Sequence, residues 1–247
     1  MTYLITGATG EVGSRVVRQL LERGLRPRVL ARSAEKARPL FGDRVDIYVG
    51  DLAAPASIRA AIQGTDTVYL VNVGPEIPQR DEAVAMISKE SRVRKMVKLS
   101  SLDVEHGLAI GAWHEKGEAA IRQVGVPFTF VRPTGFMSNL LAWAHSIRTE
   151  GIVRSSTGDG RRPFIHSEDI ASVCVASLLQ DEYTEQALPS TGPSHSHSER
   201  RPTSSAKQLG SVSRIRQYRM KKRERGTPES AARRKRLKRM WHCGGDT

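Results

Sequence analysis

The sequence has little cysteine and no long apolar run. Its 247 residues include two cysteines, Cys174 and Cys243, whose separation matches neither a metal site nor a disulfide framework. No stretch approaches the roughly 18 apolar residues of a membrane-spanning helix. Met1 leads directly into the apolar segment Tyr3-Leu4-Ile5, without the basic and apolar regions of a signal peptide. We therefore expect a soluble cytoplasmic protein with no metal and no membrane partner.

Almost all of the net positive charge of the chain lies in its C-terminal segment. The formal net charge is +13. Residues 194–247 hold 16 of the 39 Lys and Arg residues and 4 of the 26 Asp and Glu residues, which leaves a nearly neutral body over residues 1–193. The end segment is rich in Ser, His and Arg and lacks apolar periodicity, so we expect a basic, poorly ordered tail. Its run Arg233–Arg239 can attract phosphates, but such runs are more often solvated, and we expect no nucleic-acid partner.

Short apolar segments alternate with helical segments through the body, a pattern typical of βαβ units and a parallel sheet. A helix with Val12, Val16 and Leu20 on one face follows the first strand and ends near Gly24. Pro55 is placed to begin another helix. The predicted strands are Tyr3–Thr6, Arg28–Ala31, Asp46–Val49, Thr67–Val71, Lys95–Leu99 and Pro127–Val131.

A glycine motif lies between the first strand and the first helix. Gly7, Gly10 and Gly13 are spaced Gly-x-x-Gly-x-x-Gly. Glycines at these positions allow a tight turn, close approach of backbone N–H groups to a pyrophosphate, and close packing of helix on strand. The motif predicts a Rossmann-type, doubly wound dinucleotide-binding fold. Its loop supplies the candidate cofactor-binding residues Gly7, Ala8, Thr9, Gly10, Glu11 and Val12.

The residue that follows the second strand predicts which dinucleotide binds. An NAD site has an Asp or Glu there to accept hydrogen bonds from the ribose 2′-hydroxyl, whereas this chain has Arg32. A guanidinium cannot accept those bonds but suits a 2′-phosphate, so we expect NADP(H). After the third strand, Asp51 and Leu52 are further candidates. Asp51 can accept from the adenine amino group or can serve as a turn or cap residue, and the sequence does not choose between these roles.

An ordered set of landmarks runs through residues 1–193. They are the glycine loop, Arg32, Gly50-Asp51-Leu52, Leu99-Ser100-Ser101, His114 with Glu118 and Ile121, Val131-Arg132-Pro133 with Phe136 and Asn139, Phe164–Ala171 and Thr191-Gly192-Pro193. Together they resemble the NmrA-like, atypical branch of the short-chain dehydrogenase/reductase superfamily. The resemblance implies a Rossmann-type domain with part of a small C-terminal substrate lobe, and a cofactor site that includes Val71, Ser100, Pro133 and Phe136. Because the sequence after residue 193 departs from the family, we expect this lobe to be incomplete. Ser100 can contact the nicotinamide ribose or the substrate, or can cap a strand.

Typical members of the superfamily transfer a proton with a Tyr-x-x-x-Lys pair, which this sequence lacks. When Glu118 is aligned with the glutamate that follows the family lysine, His114 takes the lysine position and Ile110 the tyrosine position. Lys116 lies on another face of the helix, and we expect it to be exposed. His114 is the candidate catalytic residue, because an imidazole can donate a proton or orient an acceptor near neutral pH. It can equally serve only to hydrogen-bond the cofactor or a loop.

The resemblance implies an NADP(H)-dependent reductase that transfers hydride to a small conjugated acceptor, quinone-like or azo. The alternative is a non-catalytic NADP(H) sensor that transmits cofactor occupancy to a partner protein. The sequence predicts neither the physiological acceptor nor the oligomeric state.

Overall fold

The computed structural model describes residues 1–107, 109–155, 163–192 and 216–219, with backbone only at 109, 154, 155 and 216–219. The chain divides into two compact units. The first contains residues 1–140 and 161–202, and the second contains residues 141–160 and 203–247. The predicted basic tail at 194–247 lies outside the described residues except for 216–219. The proposed division at residue 193 therefore stays a prediction.

Nine strands belong to the described residues, seven of them in one sheet. The strands are β1 (Tyr3–Ile5), β2 (Arg28–Ala31), β3 (Asp46–Val49), β4 (Thr67–Val71), β5 (Lys95–Leu99), β6 (Phe128–Pro133), β7 (Ile152–Ser155), β8 (Gln186–Ser190) and β9 (Arg216–Arg219). The sheet of the first unit has the order β3-β2-β1-β4-β5-β6-β8, and every neighbouring pair is parallel. The strand order reverses between β1 and β4, where open α/β sheets bind ligands beyond the strand ends.

The connections between strands contain helices. They are α1 (Glu11–Glu22), α2 (Ala34–Phe41), α3 (Pro55–Ile62), α4 (Ile77–Glu90), α5 (Ala109–Val124), α6 (Ala144–Glu150) and α7 (Ser167–Leu179). Short 3-10 helices cover Gly42–Arg44, Leu102–Val104, Met137–Trp143 and Asp181–Tyr183. The two expected helix signals are confirmed: Pro55 is the first residue of α3, and Gly24 follows α1 with a positive φ of 73°.

Helices cover both faces of the sheet and create two separate apolar cores. One core joins α1, α2 and α7 to one face through residues such as Val16, Phe41 and Ile170. The other joins α3, α4 and α5 to the opposite face through residues such as Ile62 and Val84. Burial on both faces explains why the central strands are almost continuously apolar. The expected doubly wound α/β fold is confirmed.

The second unit contains an antiparallel pair formed by β7 and β9. Helix α6 precedes β7, and Gly151 between them has a φ of 68°. None of the helices in the described part of the chain combines the length and apolar character needed to cross a membrane.

Candidate functional site

The glycine loop turns the chain from β1 into α1 through close backbone contacts. Gly7 has a φ of 59°, and a Cβ there would lie 3.1 Å from Val71 Cβ. The backbone N–H of Gly10 donates to the Gly7 carbonyl at 2.9 Å. A Cβ on Gly13 would overlap that same carbonyl oxygen. Gly7 and Gly13 therefore have the structural reasons that the motif predicted, and the N-terminus of α1 faces the strand ends.

A cleft of about 390 Å³ lies beyond the carboxyl ends of β1 to β4. Seven of the candidate residues line it: Gly7, Thr9, Gly10, Arg32, Asp51, Leu52 and Val71. Thr6, Leu30, Ala31, Gly50, Asn72, Val73 and Arg80 complete the lining. The structure thus brings together residues from four strand ends that are far apart in sequence.

Arg32 also lines a second cleft of about 390 Å³, on the α2 side, together with Thr9, Ser33, Glu35 and Lys36. Arg32 and Lys36 give this region two exposed cations, an arrangement suited to a phosphate. Glu35 opposes them. The Ser33 hydroxyl donates to Glu35 Oε2 at 2.5 Å, and this hydrogen bond lowers the pKa of Glu35 below its ordinary value. The carboxylate therefore stays charged near neutral pH.

Asp51 has a turn role that leaves part of its carboxylate available. Its Oδ1 accepts from the backbone N–H of Ala53 at 2.9 Å, while the Asp51 backbone N–H approaches the Ser57 hydroxyl at 3.2 Å. These bonds fix the loop after β3. The turn role is confirmed, and contact with adenine through the other carboxylate oxygen stays a prediction.

The remaining loop candidates have other surroundings. The side chains of Ala8 and Val12 are buried in the core, so only their backbones can face a ligand. The Glu11 carboxylate accepts hydrogen bonds from the hydroxyls of Ser138, at 2.9 Å, and Ser167. Glu11 therefore ties the glycine loop to the segment after β6 and to the start of α7.

Ser100, at the end of β5, belongs to a buried polar network. Its hydroxyl donates to Glu118 Oε1 at 2.6 Å. Arg132 binds both oxygens of the same carboxylate, with Nε to Oε1 at 3.0 Å and Nη2 to Oε2 at 2.6 Å, and Arg132 Nη1 lies 3.1 Å from Glu105. These hydrogen bonds raise the pKa of Arg132. Because the Ser100 proton is directed to Glu118, its oxygen lone pairs are what it can offer a ligand, and cofactor contact stays a prediction.

His114 is 8% exposed on α5, and its Nδ1 has no hydrogen-bond partner among the described residues. Burial, reinforced by the charge of Lys98, lowers the pKa of His114 to about 3. The sequence led us to expect an imidazole that exchanges protons near neutral pH. The ring is instead neutral there, because desolvation and the neighbouring cation both disfavour the imidazolium. As a neutral ring it can still donate from an N–H group.

The other residues that the family resemblance placed near His114 differ in their exposure. Lys116 is exposed, as predicted. Ile110, at the position aligned with the family tyrosine, is 54% exposed. Pro133 is buried at the end of β6. Phe136 is half-buried against the core and pairs with Ile165 in a parallel bridge. None of His114, Ser100, Pro133 and Phe136 lines the two clefts described above.

Sequence reasoning missed Arg80 and Lys36. Arg80 lies in α4, where no motif marks it. Its only signal is a cation placed one helical turn beyond a loop that follows a predicted strand. Lys36 could have been found as a second cation four residues after Arg32, in the first turn of the helix that follows β2.

A parallel sheet with a glycine loop at its switch point and a cationic cleft at the end of β2 defines a Rossmann-type dinucleotide-binding protein. Comparison with known proteins identifies the family. A family model described as NAD(P)H-binding matches residues 7–181. The "(4-alkanoyl-5-oxo-2,5-dihydrofuran-3-yl)methyl phosphate reductase" of Streptomyces griseus is 39% identical, covering 77% of this chain and 67% of the relative. The NAD(P)H azoreductase of Xenophilus azovorans is 35% identical, covering 77% and 68%.

Solved structures agree on the fold. The NADPH-dependent quinone oxidoreductase of Escherichia coli, solved with NADPH, has a TM-score of 0.72 at 21% identity and covers 78% of this chain and 69% of that chain. The triphenylmethane reductase of Citrobacter sp., solved with NADP(H), has a TM-score of 0.65 at 19% identity and covers 78% and 70%. The chain belongs to the NAD(P)H-binding family, and the resemblance to NmrA-like reductases is confirmed. The chain spans about two thirds of the length of these curated relatives.

Proposed function

We propose that this protein is an NADPH-dependent reductase that transfers hydride to a small conjugated acceptor of quinone or azo type. The observation that carries the cofactor preference is the position of Arg32, which lines both clefts at the end of β2. A guanidinium there suits a 2′-phosphate and has no acceptor for a ribose hydroxyl. The azoreductase and quinone oxidoreductase relatives support the acceptor class.

The residues present fit the cofactor. The α1 N-terminus and the glycine loop would hold the pyrophosphate, and Arg32 with Lys36 would hold the 2′-phosphate. When bound, the dihydronicotinamide supplies a hydride, which with one proton completes the two-electron reduction of the acceptor. Neutral His114 would orient the acceptor by donating an N–H hydrogen bond. Because Ile110 has no proton to give and His114 is not an imidazolium, solvent would supply the proton. An electron-poor quinone tolerates this, since its reduced anion is a weak base.

The activity test follows the loss of NADPH absorbance with menadione, with an azo dye, and with a simple aliphatic aldehyde as the unconjugated comparison. We expect turnover with the first two and little with the aldehyde. His114→Gln should lower kcat with little change in the Kd for NADPH, because the substituted residue lies outside the two clefts. Absence of turnover with every conjugated acceptor, despite tight NADPH binding, would refute the reductase proposal.

The cofactor preference has its own test. Replacing Arg32 with Met should raise the Kd for NADPH by roughly 30- to 100-fold, because a charge-assisted contact contributes a few kcal/mol to binding. The Kd for NADH should stay within about twofold of its original value. Isothermal titration with both dinucleotides measures this. Equal affinities of the unmodified protein for NADPH and NADH would contradict the argument from Arg32.

A second candidate function is a non-catalytic NADP(H) sensor. It is favoured by the exposed isoleucine at the position aligned with the family tyrosine and by a histidine that is neutral near physiological pH. A sensor would bind NADPH and NADP⁺ with different affinities without turning over any acceptor.

From the sequence alone, we also propose a cytoplasmic location and no nucleic-acid partner.

A further inference from the structure

We propose that Arg80 is a cofactor-binding residue whose guanidinium packs on the adenine of the dinucleotide. The proposal rests on the NADP(H) site described above and is independent of the acceptor. Arg80 is half-buried on α4 and lines the cleft at the strand ends. Within the described residues its side chain forms no ion pair and no hydrogen bond. A half-buried arginine that lines a ligand cleft, and whose guanidinium has no partner in the described part of the protein, is available for a ligand.

A buried polar anchor holds this turn of α4 at the end of β4. The adjacent residue, Asp81, accepts a hydrogen bond from Asn72 Nδ2 at 2.6 Å and pairs with Lys98 Nζ at 2.5 Å. Asp81 and Lys98 are both fully buried. A Cβ on Gly117 of α5 would overlap the Asp81 carboxylate, so only glycine lets α5 pack on this pair. Asp81 thus faces inward, and its neighbour Arg80 is held toward the cleft.

The position of Arg80 beside this anchor indicates which part of the cofactor it would contact. The pyrophosphate belongs at the N-terminus of α1, and the 2′-phosphate belongs at Arg32 after β2. The base, attached to the same ribose, must then extend over the loop after β3, where Asp51 and Leu52 line the cleft with Arg80. A planar guanidinium can stack on a purine face and gains from the π system as well as from the contact area. Leu52 offers an apolar contact in the same cleft.

The test measures binding alone, by isothermal titration of Arg80→Met with NADPH, NADH, ADP-ribose and 5′-AMP. We expect the Kd for all four to rise by about the same factor, roughly tenfold. Arg80→Lys keeps the positive charge but not the planar guanidinium, and it should lose nearly as much affinity as Arg80→Met. Arg44→Met is the matched control, because Arg44 is exposed and precedes β3. It therefore lies at the amino end of the strand, whereas the cleft lies at the carboxyl ends. The affinities of this variant should equal those of the unmodified protein.

Each other outcome overturns the proposal. A loss confined to NADPH would assign Arg80 to the 2′-phosphate, and a loss on ADP-ribose without a loss on 5′-AMP would assign it to the pyrophosphate. Full affinity in Arg80→Lys would mean that charge alone matters. Unchanged binding in Arg80→Met would exclude any contact. Circular dichroism spectra of the variants, compared with the unmodified protein, confirm that the fold is retained. Since no acceptor is present, failure of the reductase proposal would leave this result interpretable.

Discussion

The buried imidazole of His114 should make the stability of the protein depend on pH. Its pKa falls from 6.5 to about 3 on folding, because burial and Lys98 both disfavour the charged ring. Between these two values the unfolded chain binds more protons at this residue than the folded protein does. The free energy of unfolding therefore rises with pH across this window, and the stability present above pH 6.5 is lost progressively as the pH falls toward 3.

The magnitude follows from the two pKa values. Linkage predicts that His114 alone removes about 2 kcal/mol of unfolding free energy between about pH 7 and about pH 5. His114→Gln carries no titratable group and should lack this contribution. We therefore expect the difference in unfolding free energy between the unmodified protein and the variant to change by that amount over this range. Other titrating groups are common to both proteins and cancel in the difference.

Urea denaturation at about pH 7, 6 and 5 provides the measurement. His106→Gln, which makes the same replacement at an exposed histidine, is the matched control for the substitution itself. A difference between the unmodified protein and His114→Gln that stays constant within about 0.5 kcal/mol over the whole range would refute the reasoning.

Two further predictions concern charges. Glu35→Gln removes the carboxylate that opposes the cations of the 2′-phosphate cleft. The Kd for NADPH should therefore fall by roughly two- to fivefold at low salt, and the Kd for NADH should not change. Titration with both dinucleotides measures this, and equal effects on the two Kd values would contradict the prediction. Lys98→Met leaves Asp81 buried without its cation and should cost about 3–5 kcal/mol of unfolding free energy. The exposed ion pair of Arg59 and Glu90 is the comparison, and Arg59→Met should cost at most about 1 kcal/mol of unfolding free energy. If urea denaturation gave similar losses for Lys98→Met and Arg59→Met, burial of the Asp81–Lys98 pair would add nothing to the cost of removing its cation.

Local signals were sufficient for much of the fold. The predicted strands at Arg28–Ala31, Asp46–Val49, Thr67–Val71 and Lys95–Leu99 have the same bounds in the structure, because buried parallel strands are short, apolar and bounded by turn residues. The sixth strand is shifted: it runs from Phe128 to Pro133, since pairing with its neighbours extends it beyond the apolar segment.

Other elements leave no such signal. Strand β8, Gln186–Ser190, contains a proline and polar residues and was not predicted. It lies at the edge of the sheet, pairing with β6 alone, where proline and polar side chains are tolerated. Helix α2 contains Pro39, which argues against a helix when the sequence is considered alone.

The candidate site divides in the same way. The glycine loop and Arg32 could be predicted because motif and strand order fix their place. The neutrality of His114 could not, because its pKa is lowered first by burial of the ring and then by the charge of Lys98, a residue of β5, and only the tertiary structure sets both. The bond from Ser100 to Glu118 likewise joins a strand end to a helix 18 residues later. Side-chain environments of this kind are set by packing between distant elements.

The buried pair of Asp81 and Lys98 has a consequence for motion. Separating α4 from β5 would expose two charges and leave the Asn72 amide without its partner, so this region should open only when the whole domain unfolds. The backbone amides near residue 81 and along β5 should then exchange with solvent among the slowest in the protein. One wall of the dinucleotide cleft would stay fixed while cofactor enters, and any adjustment would fall to the exposed α2 side that carries Arg32 and Lys36.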